Sequence, residues 1–599
     1  MRIRDLPLPK PLVDLLEEKG YVDLFPPQEE AVRRGALRGT NVLLTTPTAS
    51  GKTLVAIIAA GKKILEDRVK VVYLTPLRAL AAEKYEEFKM LEALTKSDGS
   101  HIKVHISTGD YDSPGEFLRD GDLIVLTNER FDSILRHGAS WIDDVGLYVA
   151  DEVHLVGLPR RGPTLESILT KIRTFSPDSQ IIGLSATITN GATIAKWLDA
   201  ELINIDWRPV KLVEGVWDHG MIVYADGRTK TVKSTGRGAA IDVAADVLDE
   251  GGQALIFAET RRRAVSLAAK AAEVTKHYLT DEEKRGLSEV SRRILTEVEE
   301  TSLSRALAEV VECGSAFHHA GLASNHRRIV EEAYRSGLIK ILTATPTLAA
   351  GVNLPARRVV ISNLYRYDAE YGGQSLLSVL EYKQMCGRAG RPKFDEIGET
   401  ILLASPSFTK EELFENYIKG KPEPITSQLS DEGMLRTHLL ATIASLPGLS
   451  DEDIEEFFSK TLFTLQYRRP TVKIRLSRCI STLLSDALIE KVGRRYMATE
   501  FGRRISLLYI DPETGVLFKK ALQKSKAGRR YEAGLIHIVS IAPDMSPKLA
   551  LRSKDMDEAR AYMEEHSEEF LIQPYEEAAY WSGSDSFRNV LVLDAWIRE

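Results

Sequence analysis

Three cysteines in 599 residues, Cys313, Cys386 and Cys479, lie far apart and show no C-x-x-C spacing. The sequence therefore offers neither a zinc centre nor a disulfide framework, and its sparse cysteine suits a reducing cytosol. It also lacks an unbroken apolar run of about 18 residues, and Met1-Arg2-Ile3-Arg4-Asp5 is followed by no apolar segment, so neither membrane insertion nor export is indicated. No internal repeat and no low-complexity tract is present. Charge of one sign is scarce too: the formal net charge of −7 speaks against a uniformly basic nucleic-acid binder, although a channel can be basic on an acidic protein. What remains, 43 % hydrophobic and 28 % charged residues, is the composition of a packed globular chain. At about 150 residues per domain, its length asks for about four domains.

Short apolar runs at Val42 to Leu44, Val71 to Leu74, Leu123 to Leu126, Leu147 to Ala150 and Ile181 to Leu184 alternate with helical segments, the pattern of a mainly parallel α/β sheet. A second set follows at Ala254 to Phe257, Ala316-Phe317, Ile339 to Leu342, Val359 to Ile361 and Thr400 to Leu403. The boundary is expected at Asp206-Trp207-Arg208-Pro209-Val210, where a proline interrupts regular structure. After Leu403 the alternation stops. Leu476 to Ile489 reads as an amphipathic helix, and Gly493 opens two strand-like pieces around Tyr496 and Phe501, which suggests a winged helix. Between Gln466 and Arg504, ten Lys or Arg face three acids, an excess that could track phosphates or simply be a solvated surface. The rest is mostly helical and stops on a stripe of Val590, Leu593 and Ile597, a pattern expected to continue into further sequence.

The expected domains are residues 1–203 and 204–404 (α/β), 405–503 (winged helix) and 504–599 (helical, apparently incomplete).

Thr46-Pro47-Thr48-Ala49-Ser50-Gly51-Lys52-Thr53 sits between an apolar run and a helical one, the strand-loop-helix setting of a phosphate-binding loop. Backbone N–H groups would cradle the phosphates of a nucleotide triphosphate, Lys52 would reach the β and γ oxygens, and the Thr53 hydroxyl would hold Mg²⁺. Thr46 replaces the usual first glycine. Asp151-Glu152-Val153-His154 follows a strand at the same sheet edge; Asp151 can hold Mg²⁺ and Glu152 can orient and deprotonate the attacking water. Gln384 to Pro392 supplies Arg388 and Arg391, whose three-residue spacing on a helix would aim both at one developing charge. Because they belong to the second α/β set, hydrolysis is expected to require closure of two halves.

The order of these segments resembles superfamily 2 helicases, specifically the Ski-like branch that holds the archaeal HELQ-like DNA helicases. The resemblance runs through nearly the whole chain. It implies two RecA-like domains, a winged helix and a partial helical ratchet. Phe25-Pro26-Pro27-Gln28 resembles the Q motif, so Gln28 would read adenine. Thr46 to Thr53, including Ala49 and Ser50, resembles motif I, Asp151 to His154 motif II, Ser185-Ala186-Thr187 motif III, and Gln384 to Pro392 motif VI, with Gln384 in the catalytic set. Gly351 would lie on the nucleotide side of motif V. Along the nucleic-acid path, the resemblance implies Arg78 (motif Ia), Thr108 (Ib), Thr127 (Ic), Thr260 and Arg261 (IV), His319 (IVa) and Thr345 (V). Such small hydroxyls and backbone groups hold phosphates without reading bases, while each Thr could equally be a helix cap. Tyr365 to Gly373 resembles a strand-separating hairpin, with Tyr367 or Tyr371 stacking on the last base pair.

The expected activity is thus an ATP-dependent, Mg²⁺-requiring helicase moving 3′ to 5′ on single-stranded DNA and unwinding forked duplexes in replication-fork repair or recombination. It would act as a cytoplasmic, nucleoid-associated monomer without a membrane, alongside replication-fork or single-strand-binding proteins. Two alternatives stand beside it. A Ski-like RNA helicase shares the motifs, yet no large insertion fits between Leu403 and Leu476. A non-catalytic DNA-binding scaffold would not need Lys52, Asp151, Glu152, Arg388 and Arg391 together.

Overall fold

The computed structural model describes residues 1–47, 50–109, 115–297, 300–348, 354–368, 373–392, 394–446, 448–526, 529–549, 551–574 and 587–598. Seven parallel strands form the first sheet: β1 (Val42–Thr45), β2 (Lys70–Thr75), β3 (Val104–Ser107), β4 (Leu123–Thr127), β5 (Val145–Ala150), β6 (Gln180–Ser185) and β7 (Glu201–Ile203). Their order is β3-β4-β2-β5-β6-β1-β7. Val71, Val72, Tyr73, Leu74, Leu147, Tyr148 and Val149 are all fully buried, because helices cover both faces of a parallel sheet and its strands read as continuous apolar runs. With every strand parallel, all carboxyl ends share one edge. The loops after β1, β5 and β6 gather on one part of it, and those after β2, β3 and β4 on another.

The second sheet contains β8 (Lys211–Asp218), β9 (Met221–Tyr224), β10 (Thr229–Thr231), β11 (Ala254–Phe257), β12 (Ser315–His318), β13 (Ile341–Ala344), β14 (Arg358–Ile361) and, after an antiparallel hairpin of β15 (Tyr365–Asp368) and β16 (Gly373–Leu376), β17 (Ile397–Leu403). Its order is β10-β9-β8-β17-β14-β11-β13-β12. Five expected strands are thus joined by three more directly after Pro209. Strand β8 runs parallel beside β17, with Val216 opposite Leu402, and β9 and β10 add an antiparallel edge.

The third region has helices Glu432–Ser445, Asp451–Ser459 and Arg469–Ser485 beside a three-stranded sheet of β18 (Leu449–Ser450), β19 (Ile489–Val492) and β20 (Arg495–Ala498). Two expectations are corrected here. The amphipathic helix begins at Arg469, seven residues before Leu476, and ends at Ser485, because Ala487 turns through φ = 54° into β19, which takes Ile489. Phe501 is helical rather than part of the wing: Thr499 Oγ1 accepts the Gly502 N–H at 3.0 Å and starts helix Glu500–Leu508. Further helices follow at Pro512–Leu522, Glu532–Ile541, Met556–Glu565 and Phe587–Arg598; in the last, Val590 is buried but Ile597 is exposed.

This third region docks on the first sheet's helices. Asn190 exchanges two hydrogen bonds with the Ile425 backbone, at 2.8 and 3.0 Å. Glu166, fully buried, accepts from the Ser427 hydroxyl at 2.6 Å and the Phe463 N–H at 2.8 Å. Asp132, also fully buried, accepts from Arg136 Nε, Lys171 Nζ and the Tyr509 hydroxyl at 2.8 to 3.0 Å. Among the described residues, no helix is long and apolar enough to cross a membrane.

Candidate active site and nucleic-acid path

Helix Lys52–Glu66 starts directly after Gly51, whose φ of 77° is left-handed and whose added Cβ would strike the Gln28 amide and the Phe25 ring. A glycine is required there. Gln28 accepts the Phe25 N–H at 2.8 Å and donates to the Gly51 carbonyl at 2.8 Å, so the candidate adenine reader is tied to the phosphate loop. Thr46 in place of glycine is accommodated by a buried 2.7 Å bond between its hydroxyl and that of Ser50. Lys52 Nζ donates to the carbonyls of Thr46 at 2.8 Å and Pro47 at 3.3 Å; burial lowers its pKa, against the pull of Glu152 and Asp151. Ala49 and Gly351 lie outside the described residues.

At the end of β5, Asp151 accepts from the buried Tyr73 hydroxyl at 2.7 Å, and burial together with neighbouring Glu152 raises its pKa. Thr53 Oγ1 accepts from Lys84 Nζ at 3.2 Å, and the same ammonium reaches both Glu87 oxygens at 2.9 and 3.0 Å. Lys84 thus places a positive charge beside the Thr53 and Asp151 oxygens, with Asp151 among the charges acting on it. That donor set, a hydroxyl and a carboxylate close to a phosphate loop, fits Mg²⁺ arriving with a triphosphate. Among the described residues, no cluster of three or more His, Cys, Asp or Glu could hold a metal without phosphates.

Glu152 adopts φ = 52°, uncommon for a residue with a Cβ, and its Oε2 lies 3.3 Å from His154 Nδ1. His154 joins three segments. Its Nδ1 also lies 3.3 Å from the Ala186 nitrogen, and its Nε2 accepts from Nε2 of Gln384 at 2.6 Å, on helix Val379–Cys386, which belongs to the second half. Burial and Lys52 push its pKa down to about 3, so the ring is neutral and works as a hydrogen-bonding joint rather than a charge.

The two arginines do not share a helix face, which corrects the expectation from their spacing. The helix ends at Cys386, and Gly390, at φ = 92°, turns the chain between them. Arg388 is buried, and the carboxylates of Glu152 and Glu83 oppose the desolvation that lowers its pKa. Arg391 stays within the second half, bidentate to Asp395 at 2.9 Å and bonded to Gln253 at 3.0 Å.

The candidate nucleic-acid residues sit at the carboxyl ends of the other strands. Arg78 and Thr108 follow β2 and β3, the Arg78 guanidinium lying so close to Gly109 that any Cβ would clash. Thr127 and Thr260 use their hydroxyls as helix caps, accepting from Arg130 N–H at 3.4 Å and Arg263 N–H at 3.1 Å, the local role that competes with phosphate binding. His319 stacks on Phe317 with centroids 5.5 Å apart and accepts the Gly321 N–H at 3.1 Å. Its buried Nε2 has no partner among the described residues, and Arg261 is close by. The Thr345 N–H donates to the His318 carbonyl at 3.4 Å. Tyr367 falls in β15, with its side chain outside the described residues, and Tyr371 lies wholly outside them.

Sequence reasoning missed Lys84, Tyr73 and Arg208. A signal existed for Lys84, which interrupts the buried spacing of Leu80, Ala81 and Phe88 on helix Arg78–Phe88. None existed for Tyr73, while Arg208 stands in the Asp206 to Val210 segment read above only as a boundary.

Comparison with known proteins agrees with this geometry. Family models match for DEAD/DEAH box helicase over residues 25–194, Helicase conserved C-terminal domain over 270–393, and Helix-turn-helix domain over 398–490. The ATP-dependent DNA helicase Hel308 of Methanocella arvoryzae is 44 % identical over 574 residues, covering 95 % of this chain and 76 % of the relative. Its namesake from Pyrococcus horikoshii is 40 % identical over 605 residues, covering 100 % of this chain and 81 % of the relative. That from Pyrobaculum calidifontis is 39 % identical over 610 residues, covering 100 % and 82 %. Two RecA-like sheets meeting at a phosphate loop, a helix-turn-helix region and these identities place the chain in the Hel308 family of superfamily 2 ATP-dependent DNA helicases.

Proposed function

We propose that this helicase moves 3′ to 5′ on single-stranded DNA and opens forked duplexes, one Mg²⁺-bound ATP being hydrolysed per closure of its two halves. Lys52 binds the phosphates, Glu152 takes the proton of the attacking water, and Arg388 stabilises charge developing on the γ-phosphate. When bound at Thr53 and Asp151, Mg²⁺ would neutralise phosphate charge. The observation that carries this reading is the contact of Gln384 with His154, which joins the second half to the Asp151-Glu152 segment at 2.6 Å and sets Arg388 within electrostatic reach of Glu152.

Sheet order supports a division of labour. The proposed nucleotide residues follow β1 and β5, whereas the proposed DNA contacts Arg78 and Thr108 follow β2 and β3 and Thr127 ends β4; in the second half Thr260, His319 and Thr345 follow β11, β12 and β13. A strand crossing both rows is gripped by each half in turn, so closure advances it. The β15–β16 hairpin is the proposed separator of strands. The 3′ to 5′ polarity, the Ski-like placement, action as a monomer at stalled forks beside single-strand-binding proteins, and a nucleoid setting rest on the family resemblance.

The test is a forked-duplex unwinding assay with 3′-tailed and 5′-tailed substrates, paired with ATPase stimulation by single-stranded DNA and by RNA of equal length. Unwinding only from the 3′ tail and stronger stimulation by DNA are expected. Preference for the 5′ tail would reverse the proposed direction, and equal or greater stimulation by RNA would favour the RNA-helicase reading.

A further inference from the structure

The linker between the two sheets does more than connect them. Trp207 rests on the first half, its ring 4.6 Å from that of Phe25, the residue whose N–H is held by Gln28. The next side chain, Arg208, reaches the other way. Its guanidinium donates to the carbonyls of Cys386 at 3.2 Å, Gly387 at 3.2 Å and Ala389 at 2.8 Å, so it brackets Arg388 on both sides. Two residues on, Val210 packs against Gly390 so closely that a Cβ there would lie 2.5 Å from Val210 Cγ1.

These contacts add to a backbone already bonded on one side. After helix Val379–Cys386 ends, the Arg388 and Ala389 N–H groups donate to the carbonyls of Met385 and Cys386 at 3.0 Å and the Arg388 carbonyl accepts from the Ala356 N–H at 2.8 Å, while the Gly387 and Ala389 carbonyls take their donor from Arg208. A planar guanidinium with several donors can satisfy three carbonyls at once and lock the loop that carries Arg388; an ammonium lacks that fork. Burial lowers the Arg208 pKa, but an arginine remains charged at any working pH, so the clamp does not switch off with protons.

We infer that Arg208 is a positioning residue: it aims Arg388 by holding the backbone on both sides of it, and through Trp207 it references that aim to the phosphate-loop half of the molecule. The inference rests on the proposed charge-stabilising role of Arg388. Among the described residues Arg208 makes no bond to the proposed ATP-binding groups Gln28, Lys52 and Thr53 of the first half, so removing the clamp is expected to act on turnover and spare affinity.

The experiment is a double-mutant cycle on the full chain, with R208A, R388A and R208A/R388A, reading DNA-stimulated kcat, the Kd of a fluorescent ATP analogue, and the melting temperature. R208A is expected to lower kcat by about tenfold or more while changing the nucleotide Kd less than about twofold, and R208A/R388A is expected to be no slower than R388A, because a clamp has nothing to aim once Arg388 is gone. If R208A does not fold, the same cycle is run with R208K. A kcat near wild type in the Arg208 variant, or a double variant slower than R388A by the full factor of the Arg208 change, overturns the inference alone. Wild-type hydrolysis by R388A overturns the role of Arg388 and this inference with it.

Discussion

Glu152 holds a left-handed backbone conformation two residues after the buried end of β5, a strain of about 1 to 2 kcal/mol that surrounding structure must sustain. What sustains it is visible. The Glu152 N–H donates to Asp151 Oδ1 at 2.9 Å and the Glu152 carbonyl accepts from Leu155 N–H, so the turn is bonded on both sides while the carboxylate stays half-buried beside His154. Replacing the carboxylate by an amide keeps this shape and removes the proton acceptor. E152Q is therefore expected to bind ATP with near-wild-type affinity while hydrolysis falls by about 100-fold or more, read by nucleotide titration and phosphate release; unchanged turnover would remove Glu152 from the chemistry. The identities of Lys52, Asp151 and Glu152 were legible in sequence because each follows an apolar strand at a fixed offset. The neutrality of His154 was not, since it arises from burial contributed by segments distant in sequence.

Helix Leu462–Gln466 begins over the buried carboxyl of Glu166, which accepts from the Phe463 N–H. Burial pushes this carboxyl up to about 7 from an ordinary 4.5. The folded form therefore binds a proton that the unfolded chain has released across pH 4.5 to 7, and this group's contribution to stability declines as pH rises through that window. E166Q, which cannot ionise, is expected to lose that decline, gaining on wild type by about 1 to 3 kcal/mol between pH 5 and pH 8, checked by thermal melts of both proteins at each pH. Parallel curves would show that Glu166 is ionised throughout. At this level, periodicity located the helices and misplaced their ends: Arg469–Ser485 was offset by seven residues at its start, and the arginine pair was assigned to a helix that stops at Cys386. Periodicity weights apolar positions, whereas helix ends are decided by turns such as Ala487 and Gly390 and by backbone partners such as Arg208.

The winged-helix region is bonded to the first RecA-like half at Asn190, Glu166 and Asp132, and the Glu423 carboxylate also accepts from the Val379 and Leu380 N–H groups of the second half at 2.8 and 3.1 Å. The joint is ionic at its centre. Asp132 is held well below the usual carboxylate range by Arg136 and Lys171, even though burial opposes it, and Arg136 lies over the Tyr509 ring at 4.0 Å while donating to the Ser506 carbonyl at 2.6 Å. Removing one member of such a cluster leaves buried cations uncompensated. D132A is expected to destabilise the joint by about 3 to 5 kcal/mol, seen as an earlier unfolding transition and as faster proteolytic release of the C-terminal region. A melting curve indistinguishable from wild type would show that the joint is held elsewhere.

Apolar runs at strand spacing and short polar signatures at their ends were enough to establish two mainly parallel sheets, a phosphate loop and the acid pair beside it, because a buried strand and the turn that follows are local chemistry. Strands β8 to β10, the divergence of Arg388 from Arg391, the Lys84 ammonium beside Thr53, and the Trp207-Arg208 bridge were settled only when distant segments packed together. Each depends on which partner a charged or strand-forming residue meets across the fold, and desolvation by that partner, rather than the residue's own type, decides what it does.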